Sequence, residues 1–310
     1  MTNSKMASTA LVTKSTGSWY SLLLDDGSTV QARIKGKLRM QGLKSTNPVA
    51  VGDKVEIEAE PGNQNYMITG IAERKNYIIR KANKLSKQTQ ILAANLDLAC
   101  LVVSLVEPST SSGFIDRFLV GAEAYHIPVL LALNKIDRYG EEAAKAILDI
   151  YEPLGYHCLT MSATEGIGLA QLQNKIATKT TLFAGHSGVG KSTLLNKLIP
   201  DLSQKIGSVS SYSGKGKHTT TFAEMFQLPQ GGFVIDTPGI RDFGVIDVAT
   251  EEVSHYFPEM RERLSGCRFN NCQHLNEPDC AIQQAVEAGH IHRNRYYNYL
   301  SILRNEDVRG

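Results

Sequence analysis

Two short stretches constrain the fold of this chain more than any others, and they come in an unusual order. GHSGVGKS, Gly185 to Ser192, sits between an apolar run, TTLFA, and an amphipathic one, TLLNKLI. Glycines at this spacing let backbone N–H groups close around an anion, and the following helix turns its positive end towards it. The stretch reads as a phosphate loop. Gly185, His186, Ser187, Gly188, Val189 and Gly190 would wrap the phosphates, and Lys191 would reach the outer two. Ser192 would ligate Mg²⁺, with Thr193 beside it at the start of the helix. NKID, Asn134 to Asp137, follows another apolar run, PVLLAL, and comes earlier in the chain. A carboxylate at Asp137 can accept two hydrogen bonds from the N1–H and amino group of guanine. Adenine lacks that donor pair and would leave the carboxylate unpaired, which gives strong discrimination. Asn134 would hold neighbouring loops, and the Lys135 stem would cover the base.

Two further stretches also end strand-like runs. TMSA, Thr160 to Ala163, brings Ser162 and Ala163, whose backbone could meet guanine O6. DTPG, Asp236 to Gly239, follows GGFVI. An acidic residue there holds Mg²⁺ through water, and the glycine N–H can meet the γ-phosphate. In an ordinary small GTPase the phosphate loop precedes the guanine loop. Here the order is guanine loop, SA, phosphate loop, DTPG. A sheet of this kind can be cut and rejoined without moving its loops, because domain termini lie close together. The order is that of a circularly permuted GTPase. A metabolic P-loop kinase has no need of NKID, and a degenerate nucleotide site would not keep Lys191, Ser192 and Asp236 together.

The surrounding pattern agrees. From Ile91, runs such as LDLACLVVSLV and IPVLLALNKID alternate with amphipathic stretches, which predicts a parallel sheet with helices on both faces. Before that, WYSLLLDDGSTVQARI and VGDKVEIEAEPGNQNYMITGI are two pairs of strand-like runs, turning at Asp25-Asp26-Gly27 and Pro61-Gly62. They predict an all-β barrel of OB-fold type. In RIKGKLR, the residues Arg33, Lys35, Lys37 and Arg39 alternate, so a strand would place them on one face, as an RNA-binding surface or a solvated one. The stretch 73–90 has six basic residues and reads as a basic linker. The expected organisation is an OB-fold domain over 1–72, the linker over 73–90, the permuted GTPase over 91–247 and an α-rich zinc-binding domain over 248–310, ending in a basic, aromatic helix.

Composition excludes some classes. The chain has 310 residues, 42% hydrophobic and 21% charged, with a net charge of +2, too small to imply a nucleic-acid partner by itself. No apolar run reaches the length of a membrane span, and the start, MTNSKMASTA, is polar, so a cytoplasmic protein without a membrane partner is expected. Five cysteines, three of them crowded near the end, suit metal binding better than disulfides. Cys100 and Cys158 read as structural.

GHSGVGKS, GKGKHTTT, DTPG and CRFNNCQHLNEPDC, together with the permuted order and the N-terminal barrel, resemble the ribosome small-subunit-dependent GTPase A family (RsgA, also called YjeQ) from about residue 8 onward. The resemblance implies hydrolysis of GTP to GDP and phosphate, stimulated by the small ribosomal subunit in its late maturation, and contact with its rRNA. A monomer is expected. GKGKHTTT falls where switch I belongs, so Thr220, or else Thr219, would ligate Mg²⁺. Ile240 stands where Ras-like enzymes carry a water-orienting Gln, and His218 is the candidate to act in its place. Cys267, Cys272, His274 and Cys280 would hold one structural Zn²⁺ per chain.

Overall fold

The computed structural model describes residues 8–36, 48–60, 62–81, 89–200, 202, 223–236 and 248–304. Strands β1 (Ser8–Ser15), β2 (Tyr20–Leu23), β3 (Thr29–Ile34), β4 (Lys54–Ala59) and β5 (Tyr66–Ile71) come first, followed by β6 (Tyr77–Lys81) and β7 (Thr89–Ala94). Strands and helices then alternate: β8 (Leu98–Val103), α1 (Ser112–Ala124), β9 (Val129–Leu133), α2 (Ile136–Tyr151), β10 (His157–Thr160), α3 (Leu169–Ile176), β11 (Thr180–Ala184) and α4 (Lys191–Leu198). Strands β12 (Glu224–Gln227) and β13 (Phe233–Asp236) precede helices α5 (Pro258–Arg261), α6 (Ala281–Glu287) and α7 (Arg293–Leu303). The described residues fall into two compact units, one within Met1–Leu98, Gln173–Ala184 and Leu195–Asp242, the other within Ala99–Leu172, Gly185–Leu194 and Phe243–Gly310. Among the described residues, no helix is long and apolar enough to cross a membrane.

In the first unit, β1, β2, β3, β5 and β4 pair in that order, and β4 returns to pair with β1. The result is a closed five-stranded barrel with OB-fold connectivity, antiparallel except where β3 runs parallel to β5. Period-two patterning sends alternate residues inward. Ala10, Val12, Tyr20, Leu22, Ala32, Ile34, Val55, Ile57 and Ile68 fill the interior. The predicted turn between β2 and β3 forms: Gly27 takes φ +82°, and the Ser28 N–H donates to the Asp26 side chain at 2.8 Å. A buried carboxylate, Asp53, ties the loop before β4, accepting from the Ala50 N–H at 2.8 Å and from both Nε and Nη2 of Arg74 at 2.6 Å.

Two details differ from the sequence expectation. Strand β3 stops at Ile34, so the alternating basic face does not run along one strand. Arg33 instead stacks 3.8 Å over the Trp19 ring, and Lys35 pairs with Glu58; Lys37 and Arg39 lie outside the described residues. The stretch 73–90 also carries secondary structure of its own, because β6 within it pairs antiparallel with β7.

The same unit extends the barrel into a second sheet. β1 pairs with β12, β12 with β13, and β13 runs parallel to β11. Asp97 clamps β11, with its N–H donating to the Thr180 carbonyl at 2.9 Å and its carboxylate accepting from the Thr180 N–H at 2.8 Å.

In the second unit, β8, β9 and β10 form a parallel ladder with β9 in the middle. Val103 lies beside Leu133, and Leu133 beside Thr160, so the loops that follow all three strands leave from one edge. That edge is where open α/β sheets bind ligands. β8 and β9 are buried along their whole length, which is why their sequences, LACLVV and VLLAL, do not alternate. Ser111 caps α1 by accepting from the Phe114 N–H. The C-terminal region is helical, with Val253, Phe257, Met260, Ile282, Ile291, Tyr299 and Ile302 packing with Val120 of α1.

Candidate functional site

The phosphate loop runs from Gly185 to Gly190 and opens α4 at Lys191, the strand–loop–helix arrangement that anion binding requires. Two of its glycines are obligatory. A Cβ on Gly185, at φ +138°, would stand 2.2 Å from the Val102 carbonyl oxygen, and one on Gly190, at φ +105°, would stand 2.2 Å from Asn134 Nδ2. The Lys191 ammonium donates to the Gly185 and His186 carbonyls, each at 2.7 Å. It is thus held at the loop from the outset. Ser187, Ser192 and Thr193 are exposed and open to a ligand, whereas Val189 is buried and anchors the loop.

Asn134 joins three loops. Its Nδ2 donates to the Val189 carbonyl of the phosphate loop at 2.7 Å, and its Oδ1 accepts from the Ala163 N–H at 2.9 Å. The Ala163 N–H is therefore engaged by Asn134 rather than open towards a base. Ser162 is fully buried and shapes that turn, its N–H donating to the Ile167 carbonyl and its hydroxyl accepting from the Glu165 N–H. Lys135 takes the left-handed conformation at φ +68°, and its ammonium donates to the Glu107 carbonyl at 2.5 Å. Asp137, exposed in the first turn of α2, presents a carboxylate to solvent at the edge where the strands end. Asp236 closes β13 opposite Phe183 of β11. His218, Thr219, Thr220, Gly239 and Ile240 lie outside the described residues.

The second constellation is Cys267, Cys272, His274 and Cys280, whose ligand atoms all lie within 4.8 Å of one another. His274 Nδ1 is 3.6 Å from Cys267 Sγ and 3.4 Å from Cys280 Sγ. A tetrahedral zinc with bonds of about 2.3 Å to sulfur and about 2.0 Å to nitrogen has N···S edges of about 3.5 Å, so the donor set fits that ion. His274 Nδ1 faces the sulfurs, and Nε2 is buried away from them. Burial pushes the Cys272 thiol up to about 12, and a bound cation would reverse that by taking the thiolate. Glu277 knots the loop by accepting the N–H groups of Gln273 and Leu275 at 2.7 Å each. Cys100 is buried on β8 and Cys158 is half-buried on β10, neither of them near this cluster in the chain.

A residue that sequence reasoning missed is Arg295. It lies in the expected basic, aromatic C-terminal helix, yet it is 1% exposed and paired with Asp116 and Glu259. Asp116 itself, a lone carboxylate inside the otherwise apolar face of α1, is the signal that a buried cation must lie opposite.

A family model described as RsgA GTPase matches residues 71–246, and one described as RsgA N-terminal domain matches residues 9–67. The chain is 48% identical over 300 residues to the small ribosomal subunit biogenesis GTPase RsgA of Bacteroides fragilis, covering 96% of each. It is 48% identical over 308 residues to the protein of that name from Flavobacterium psychrophilum, covering 96% of this chain and 93% of that one. Among solved structures, YjeQ from Thermotoga maritima superimposes with a TM-score of 0.77 at 31% identity, covering 98% of this chain and 100% of that one. YloQ, described as a circularly permuted GTPase, gives 0.74 at 30% identity over 98% and 97% of the two chains. Guanine loop ahead of phosphate loop, barrel ahead of both: the chain belongs to the RsgA family of circularly permuted GTPases.

Proposed function

We propose that this GTPase acts in late maturation of the small ribosomal subunit, with its hydrolysis switched on by that subunit. The observation that carries the site is Asn134, which bonds at once to the phosphate loop and to the Ser162–Ala163 loop, so that base recognition at Asp137 and phosphate binding at Lys191 share one frame. The names of the relatives support the choice of partner.

In the reaction, water attacks the γ-phosphorus, the bond to the bridging oxygen breaks, and GDP and phosphate leave. Positioning and electrostatics supply most of such catalysis. Lys191 and the loop N–H groups neutralise the phosphate oxygens; Ser192 with Thr220, or else Thr219, would hold Mg²⁺, supported by Asp236, and the ion would offset further phosphate charge. His218 orients the water, because Ile240 has no group that can. The segment 1–72, with Arg33 stacked on Trp19 at its surface, contacts rRNA, and 73–90 connects it to the GTPase over 91–247. Residues 248–310 form a zinc module that carries one structural ion. The protein works as a cytoplasmic monomer.

GTP turnover measured with isolated small subunits, with large subunits and with neither tests this reading. Small subunits alone should stimulate. His218→Ala should keep GTP affinity and lose most of the stimulated rate. Equal stimulation by large subunits would sink the partner assignment, and a fully stimulated His218→Ala enzyme would sink the catalytic role.

A further inference from the structure

Helix α1 carries a charge that the nucleotide chemistry does not use. Asp116 is completely buried, and so nearly are its partners Arg295 on α7 and Glu259 on α5. Arg295 Nη1 donates to Asp116 Oδ1 at 2.5 Å, while its Nε and Nη2 donate to Glu259 at 2.7 and 3.0 Å. Tyr151 of α2 and Asn298 of α7 donate to the two oxygens of Asp116 at 2.8 and 2.6 Å. Burial by itself would lower the Arg295 pKa, but Asp116 and Glu259 carry it well above its ordinary value; burial in turn pushes the Asp116 carboxyl up, against the pull of Arg295, Asn298 and Tyr151. Desolvating such a cluster consumes most of what its attractions return, so it adds little net stability. Its effect is geometric: a planar cation with two carboxylates, a phenol and an amide fits in one arrangement.

Two contacts show what that arrangement positions. Phe114, on the same helix as Asp116, lies with its ring 3.9 Å from the ring of His186 in the phosphate loop. On the other side, α7 holds the metal loop. Tyr296 donates to the His274 carbonyl at 2.6 Å, and Tyr299 donates to the Gln273 carbonyl at 2.8 Å. The Arg295–Asp116 pair therefore stands between the Cys3His loop and the helix that braces the phosphate loop.

We propose that Arg295 is a positioning residue for the phosphate loop, acting through Asp116 and Phe114, and that zinc in the Cys3His site raises nucleotide affinity through it. The inference rests on the guanine-nucleotide and zinc readings above. A phosphate loop that is ordered before binding spares the ligand the cost of ordering it. Couplings between such sites typically change affinity by about 5- to 150-fold, and they are reciprocal.

The test uses the full chain, N-methylanthraniloyl-GDP as the fluorescent probe, metal analysis for zinc and a thermal melt for folding. Folded, zinc-loaded Arg295→Gln should bind the probe at least about tenfold more weakly, and Arg295→Lys should recover part of the loss. Phe114→Leu, with the ion cluster and the zinc intact, should reproduce it. Stripping zinc from the wild type with a zinc-selective chelator should weaken probe binding, and stripping it from Arg295→Gln should add little. GDP should raise zinc affinity in the wild type, read by competition with the chelator, by the same factor by which zinc raises GDP affinity. Wild-type affinity in either Arg295→Gln or Phe114→Leu overturns the inference. If Arg295→Gln does not fold, Phe114→Leu and the chelation of the wild type decide. A wild type that binds no guanine nucleotide overturns the functional reading and this inference together; one that binds the probe while the variants match it overturns this inference alone.

Discussion

Replacing Asn134 with alanine removes a side chain that bonds both the 185–190 loop and the Ser162–Ala163 turn. Asn134 is 1% exposed, so water cannot reach the Val189 carbonyl or the Ala163 N–H in its place unless the loops move. An orphaned buried backbone group costs about 1–3 kcal/mol, so the pair costs about 2–6 kcal/mol. Loops that open to admit water recover part of this, which puts the expected loss of unfolding free energy at about 2–3 kcal/mol. If nucleotide binding must restore the lost order, the same energy appears as a fall in GTP affinity of about 30- to 150-fold. Asn134→Asp separates the two links. It keeps an acceptor for the Ala163 N–H but sets a carboxylate oxygen against the Val189 carbonyl, where the amide now stands at 2.7 Å. Because the carboxylate is buried as well as opposed, it should lose at least as much stability as Asn134→Ala, and at least as much affinity. Titration with a fluorescent GTP analogue, beside urea unfolding of the same proteins, reads both quantities. An Asn134→Ala protein that binds GTP within about threefold of the wild type would refute the bridging argument.

Gly52 sits at φ +92°, and a Cβ there would stand 2.1 Å from the Ala94 carbonyl oxygen, so Gly52→Ala should destabilise the fold by about 2–4 kcal/mol in denaturant titration; unchanged stability would contradict the packing described for that loop. Burial raises the Asp97 pKa, but hydrogen bonds from Lys75 and the Thr180 N–H outweigh it and hold the carboxyl below its ordinary 3.8. A lowered folded pKa means stabilisation that is complete above the unfolded value and lost as pH falls through the folded one. Asp97→Ala should therefore be less stable at pH 7, by about 1 kcal/mol or less because the pair is partly exposed, with the gap narrowing below pH 3.8. Cys272→Ala should lower the zinc content from about one per chain to a small fraction, measured by metal analysis after dialysis; full retention would remove Cys272 from the ligand set.

The strand–loop–helix at 180–198 was readable because its signals are local: Gly185 and Gly190 stand where a Cβ would clash, and Lys191 opens the helix. The barrel was readable because inward residues such as Tyr20 and Leu22 alternate, and the turn at Gly27 because its chemistry is contained in four residues. The β6–β7 pair was hidden for the opposite reason. Its ladder is made by backbone groups, while the basic side chains around Tyr77–Lys81 suggest a solvated connector. Arg295 was hidden because an arginine by itself argues for the surface, and the carboxylates that bury it stand 179 and 36 residues away in the chain. The shortened basic face has a local cause that the alternation did not carry, since β3 ends at Ile34.

Strand β1 belongs to the barrel by its pairing with β2 and β4 and to the second sheet by its pairing with β12. The first two partners are close in sequence, whereas Lys14 meets Glu224 across 210 residues. A growing chain completes the barrel long before β12 exists. At about 5–20 residues per second, the edge of β1 that β12 will cover stands open for roughly 10–40 s of synthesis. An open edge is a template for pairing with another chain, and a lysine on it is a common safeguard. Lys14 suits both phases: covering it with a strand that offers no acid would cost the desolvation of its ammonium, whereas the proper strand brings Glu224, with which it pairs at 3.1 Å.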